Sequence, residues 1–98
     1  LVLCNYEISN RINGEGGKGH PLYVGGTYQL SGKGDFLRFF PALHGSSFSD
    51  GSYGGVAVSV FFDLDDVRIF HSGDTGLTRG FLNVKELYGG VDVALLCV

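Results

Sequence analysis

A chain of 98 residues holds at most one domain, and 44% hydrophobic against 17% charged residues suits a globular chain rather than a disordered one. A formal net charge of −3, with Lys and Arg scattered, offers no surface for nucleic acid or membrane. No apolar run approaches bilayer length and the first residues lack the charged n-region of a signal peptide, so a cytoplasmic setting is expected.

Leu1 to Cys4 reads as a buried strand. Asn5 is placed to cap a helix running to about Ile12, with Tyr6, Ile8 and Ile12 as its apolar face. Asn13 to Gly19 ends that helix in a glycine-rich loop. His20 to Tyr23 is a short strand, Gly25-Gly26 breaks it, and Thr27 to Leu30 resumes extended structure. Ser31 to Asp35 has the composition of a hairpin turn. Phe36 to Leu43 is a strand whose Pro41 belongs near an edge or at the strand end.

His44 to Gly55 is a long Gly/Ser loop. Val56 to Leu64 is a strong strand, Asp65-Asp66 a turn, and Val67 to Phe70 its hairpin partner. Thr78 to Tyr88 predicts a helix with Leu82 and Leu87 facing inward and Gly89-Gly90 stopping it. Val91 to Val98 is almost wholly apolar, as in a strand covered on both faces. The order β-α-β-β-β-β-β-α-β predicts an α/β chain, mainly strands, with two helices layered on sheet. Both ends fall inside apolar runs, so residues 1–98 are expected to be an internal fragment of one longer domain.

The 17 glycines have no fixed period, which excludes collagen and solenoid architectures. Cys4 and Cys97 both sit in apolar runs and predict buried, reduced thiols. Their spacing matches neither a disulfide framework nor a metal motif.

Two polar loops follow apolar strands: Ala42-Leu43-His44-Gly45-Ser46-Ser47 and His71-Ser72-Gly73-Asp74-Thr75-Gly76. Rigid sheets commonly position catalytic groups on such loops. Imidazole and carboxylate are the ligand types of a zinc-like site. Two metals about 3.5–4 Å apart polarise a substrate oxygen and make hydroxide available near neutral pH. Composition alone favours plainer roles, a surface His and a turn Asp between glycines. Ser46 and Ser47 lack a G-x-S-x-G elbow, and no phosphate-binding glycine loop lies at a strand-to-helix junction.

Six stretches taken together change that balance: Asn5-Tyr6-Glu7-Ile8, His20 to Tyr28, Pro41 to Ser47, Asp50 to Gly55, Ile69 to Leu77, and Val91 to Leu96. In order and content the chain resembles the metallo-β-lactamase superfamily, in the branch of metal-dependent hydrolases related to ascorbate-6-phosphate lactonases. The resemblance implies part of an αβ/βα sandwich with the metal site at one edge of its sheets. It implies that His44 is a metal ligand and that Asp74 bridges two divalent ions, zinc with manganese as the alternative. Gly73 and Gly76 would then let the backbone turn tightly, and Thr75 would orient Asp74. Ser46, Ser47 and Tyr53 are carried over as residues at the substrate entrance. His71 is not carried over as a ligand, because related sequences tolerate other residues there, and His20 is expected to pack or face solvent.

The chain departs from the family pattern in one central respect. The signature H-x-H-x-D-H, which supplies the main ligands and the acid/base Asp, is absent; the resemblance places it before Leu1, and a last family His after Val98. Cys97 stands where the family tends to have Pro. The expected function is a metal-dependent hydrolase acting on an ester, lactone or phosphoester of a small molecule, with the 98 residues inactive alone and oligomers open. The alternative is a non-catalytic, degenerate member that binds a small ligand or a protein. The sequence upstream of Leu1 would decide between them.

Overall fold

Asn5 starts the first layer. In the computed structural model, which describes residues 1–97, its backbone is extended and its side-chain oxygen accepts the Ile8 N–H at 2.9 Å, capping helix α1 (Tyr6–Gly14). The helix links strands β1 (Val2–Cys4) and β2 (Gly19–Pro21), which pair in parallel in a two-stranded sheet. Parallel neighbours need such a crossover. The strand expected at His20 to Tyr23 therefore begins one residue earlier and ends two earlier. Gly19 is required at the contact, because a Cβ there would lie 2.8 Å from the Ser9 Cα. Ser9 is the helix residue buried beneath it; Ile8 and Ile12 are half-buried and Tyr6 is exposed, against the expected apolar face.

The second layer is a five-stranded sheet in the order β3 (Thr27–Gln29), β4 (Phe36–Pro41), β5 (Val58–Leu64), β6 (Val67–His71), β7 (Val93–Leu95). All neighbours are antiparallel except β6 and β7, which helix α2 (Gly80–Tyr88) connects in parallel. Asp65 and Asp66 both have left-handed backbones, φ +50° and +64°, as a tight β5–β6 hairpin turn requires. Pro41 closes β4, where its missing N–H costs the ladder least.

One face of this sheet and α2 enclose the core: Phe40, Phe61, Phe70 and Val84, with Phe36, Phe81 and Tyr88 packed against them. Phe61 is fully buried and stacks on Tyr88, ring centroids 4.3 Å apart and planes 9° apart. Burial of each such ring contributes about 1.5–3 kcal/mol. The inward stripe of α2 is thus Phe81, Val84 and Tyr88, at helical spacing. Leu82 and Leu87, expected inside, are exposed because the aromatic stripe turns them away from the sheet. Gly89, φ +80°, ends the helix with its N–H on the Lys85 carbonyl.

The other face carries Leu37 and Phe39, buried, while Val93 and Leu95 stand exposed. The last strand is therefore not covered on both faces as expected. Its ladder is short because Cys97 N–H is taken by the Ser72 hydroxyl at 3.0 Å instead of a carbonyl; Val98, the end of the expected strand, lies outside the described residues. Cys4 is buried as expected, and desolvation raises its thiol pKa. Cys97 is exposed, contrary to expectation, since the edge position of β7 leaves its loop uncovered. The chain is a mixed α/β structure, mostly strands with two helices.

Candidate metal centre

The ends of β4 and β6 lead into the two polar loops, and main-chain bonds bring these loops together. Leu43 and Gly76 form an isolated antiparallel bridge, Gly76 N–H donating to the Leu43 carbonyl at 2.9 Å. The Thr75 hydroxyl accepts the Leu43 N–H at 2.8 Å and donates to the Gly76 carbonyl at 2.8 Å. His44 follows Leu43 directly, and Asp74 precedes Thr75. Both are exposed at this edge.

The His44 Nδ1–H donates to the Gly45 carbonyl at 2.7 Å. That bond selects the tautomer in which Nε2 keeps its lone pair for a ligand. Asp74 lines an open cleft of about 490 Å³ with His71, Gly73 and Cys97. His44 is not among the residues lining it. Among the described residues, no group of three or more His, Cys, Asp and Glu side chains is arranged to hold a metal ion. Imidazole and carboxylate are ligand types that suit a divalent cation chemically, and His44 and Asp74 would be two donors rather than a full coordination shell.

The Asp74 loop is held on several sides. His71 Nδ1 accepts the Gly73 N–H at 3.0 Å, so His71 shapes the turn from behind. Gly73 has φ +59°, and a Cβ there would meet the Val58 carbonyl at 3.2 Å. Gly76 has no such backbone; its bare Cα instead leaves room for the Leu43 side chain, which a Cβ would meet at 3.2 Å. Ser72 is fully buried, donates to the Gly73 carbonyl at 2.7 Å and accepts from Cys97. Its own carbonyl accepts from the Ser59 hydroxyl at 2.6 Å. In the sequence the signal for Ser59 is a small polar residue inside an apolar strand, whereas Ser72, in the polar loop just after β6, carries no signal of its burial. Thr75 spends its hydroxyl on joining the loops.

Ser46, Ser47 and Tyr53 come together on the longer loop, where Ser47 and Tyr53 bridge and Gly54 N–H donates to the Ser46 carbonyl at 3.0 Å. Tyr53 is exposed. At the loop tip the Asp50 carboxylate accepts from the Ser52 hydroxyl at 2.5 Å and the Ser52 N–H at 2.9 Å. These bonds, aided by the Arg11 guanidinium, lower its pKa to about 2. His20 is exposed and meets the Tyr28 ring edge-on, 5.2 Å between centroids.

A family model described as "Beta-lactamase superfamily domain" matches residues 2–98, and the chain belongs to that family of domains. It is 40% identical over 96 residues to a UPF0173 metal-dependent hydrolase of Thermus thermophilus, covering 98% of this chain and 41% of that protein. A counterpart in Natranaerobius thermophilus is 36% identical over 97 residues, covering 98% of this chain and 40% of that one. Among solved structures, Igni18, a metallo hydrolase from the archaeon Ignicoccus hospitalis, aligns at a TM-score of 0.77 and 30% identity. That alignment covers 96% of this chain and 39% of that chain. The chain therefore spans about two fifths of the length of these relatives. The mixed α/β fold matches that of a metallo hydrolase, and the relatives similar to this stretch are named metal-dependent hydrolases. No described helix is long and apolar enough to cross a membrane.

Proposed function

We propose that the chain contributes His44 and Asp74 to a binuclear site of divalent metals, zinc or alternatively manganese, that hydrolyses a small ester, lactone or phosphoester in the cytoplasm. The observation that carries this reading is the Leu43–Gly76 bridge, which sets the two ligand-bearing loops side by side at one sheet edge. His44 would bind through Nε2, the nitrogen its Gly45 bond leaves free. Asp74 has two carboxylate oxygens and would serve both ions. Bound metals would supply Lewis acidity toward the substrate oxygen and lower the pKa of water. The loop carrying Ser46, Ser47 and Tyr53 stands on the substrate side, and Tyr53 offers it an exposed aromatic ring. A lactone fits the kinship with ascorbate-6-phosphate lactonases that the motifs suggest.

The test compares two variants of the complete gene product. Asp74→Ala removes an anionic ligand from an exposed loop, so the fold survives while metal content falls and hydrolysis nearly ceases. His71→Ala, which loses only a bond to Gly73, is much milder. Elemental analysis and turnover of a generic lactone and phosphodiester measure both. Full metal and activity in Asp74→Ala would overturn the reading in favour of a plain turn.

A further inference from the structure

Two separate anchors hold the long loop between β4 and β5. Its His44 end is tied to the Asp74 loop through Leu43, as described above. Its far half is tied to α1. Asn5 spends Oδ1 on capping the helix, which leaves its Nδ2 free to donate to the Gly54 carbonyl at 2.7 Å and the Val56 carbonyl at 3.3 Å. Gly55, between these two, has φ +89°, and a Cβ there would lie 2.5 Å from Asn5 Cγ and 2.6 Å from Glu7 Oε2. Further along the same helix, the Arg11 guanidinium lies 3.9 Å from the Phe48 ring centroid and 3.3 Å from the Asp50 carboxylate.

Fixing Gly54 also fixes the entrance residues. Its N–H holds the Ser46 carbonyl, and Ser47 pairs with Tyr53 beside it. The anchor on α1 thus governs Ser46, Ser47 and Tyr53, whereas the anchor on Thr75 and Gly76 governs the position of His44. We propose that Asn5 is a positioning residue for substrate, clamping the Ser46–Tyr53 loop to helix α1 independently of the metal ligands. This rests on the hydrolase reading above.

Asn5→Asp separates the two duties of the side chain. Aspartate caps a helix as well as asparagine does, but it sets an oxygen, not an N–H, against the Gly54 and Val56 carbonyls. Gly55→Ala attacks the same contact from the other side and leaves Asn5 in place. Both are made in the complete gene product loaded with zinc, and amide exchange, metal content and turnover of a generic lactone and phosphodiester are followed. In both variants exchange across residues 46–56 rises about tenfold, as expected for losing one or two net hydrogen bonds. Exchange in α1 stays at the wild-type level in Asn5→Asp, metal content stays there in both, and KM rises about tenfold while kcat stays within about twofold. Unchanged loop exchange and KM would overturn the proposal, as would a loss of metal and kcat with KM preserved. A wild-type protein without metal or turnover would instead sink the hydrolase reading, and loop exchange alone would then decide the clamp.

Discussion

Thr75 reaches across two loops to Leu43, 32 residues away in sequence, and accepts its N–H at 2.8 Å. The loops that carry His44 and Asp74 are joined by this hydroxyl and by the Leu43–Gly76 main-chain pair. Thr75→Val keeps the shape and removes the acceptor, leaving the Leu43 N–H without its partner. The loss is about 1 kcal/mol in stability, and, on the metal-site reading proposed above, metal affinity falls on the order of tenfold because the His44 and Asp74 loops are no longer registered. Thr75→Ser restores both. Zinc titration of the three proteins checks this; equal affinities in Val and Ser variants would refute it.

Phe61 is the keystone of the face that carries both loops. Its ring stacks on Tyr88 and contacts Phe36 and Phe40 at centroid distances of 6.0 and 6.4 Å. Phe61→Ala leaves a cavity between sheet and helix and lowers stability by about 3–5 kcal/mol. Urea unfolding of the complete gene product measures this. A loss below about 1 kcal/mol would mean that α2 settles onto the sheet more freely than its packing indicates.

The order of elements was legible in the sequence because each rests on local signals. Asn5 after an apolar strand, Pro41 at a strand end and Gly89 after a helix marked boundaries that the structure keeps within a few residues. What was not legible depends on partners distant in sequence. Nothing local distinguishes Phe81 and Val84 from Leu82 and Leu87 as the inward stripe, since both sets are apolar and only the aromatic sheet face chooses between them. The division into two sheets follows from β2 pairing with β1 rather than β3. At the site, His44 and Asp74 were nominated by resemblance, while the Thr75–Leu43 bond and the second duty of Asn5 are tertiary facts.

Asp50 gives the long loop a pH dependence. Its folded pKa, about 2, lies below the ordinary carboxylate value because the Ser52 hydroxyl and N–H, and then Arg11, favour the charged form. A depressed folded pKa stabilises the folded state above the unfolded pKa of about 4 and stops doing so as pH falls toward the folded value. Protection of the loop-tip amides, taken relative to their intrinsic exchange rate at each pH, should therefore fall in wild type between about pH 4 and pH 2. Asp50→Asn should lack that fall and be less protected than wild type at neutral pH. Identical pH profiles for the two proteins would show that the Ser52 and Arg11 contacts do not order the tip.

The 98-residue chain by itself should self-associate. Among the described residues β7 ends the five-stranded order with β6 alone beside it, so its outer edge there presents unpaired backbone groups. Val93 and Leu95 on that strand are exposed, and so are Leu96 after it and Leu82 and Leu87 on α2. An open cleft of about 320 Å³ between α2 and β7, lined by Phe70, Phe81, Val84, Ala94 and Leu96, adds apolar surface there. An exposed edge next to apolar surface is a template for pairing with another chain. Val93→Lys places a charge on the edge strand without touching the Phe61 core, so it should shift the chain toward monomer while the fold persists. Sedimentation across a concentration series, with circular dichroism as the check on folding, measures this. A wild-type chain that stays monomeric throughout would show that the edge of β7 is protected.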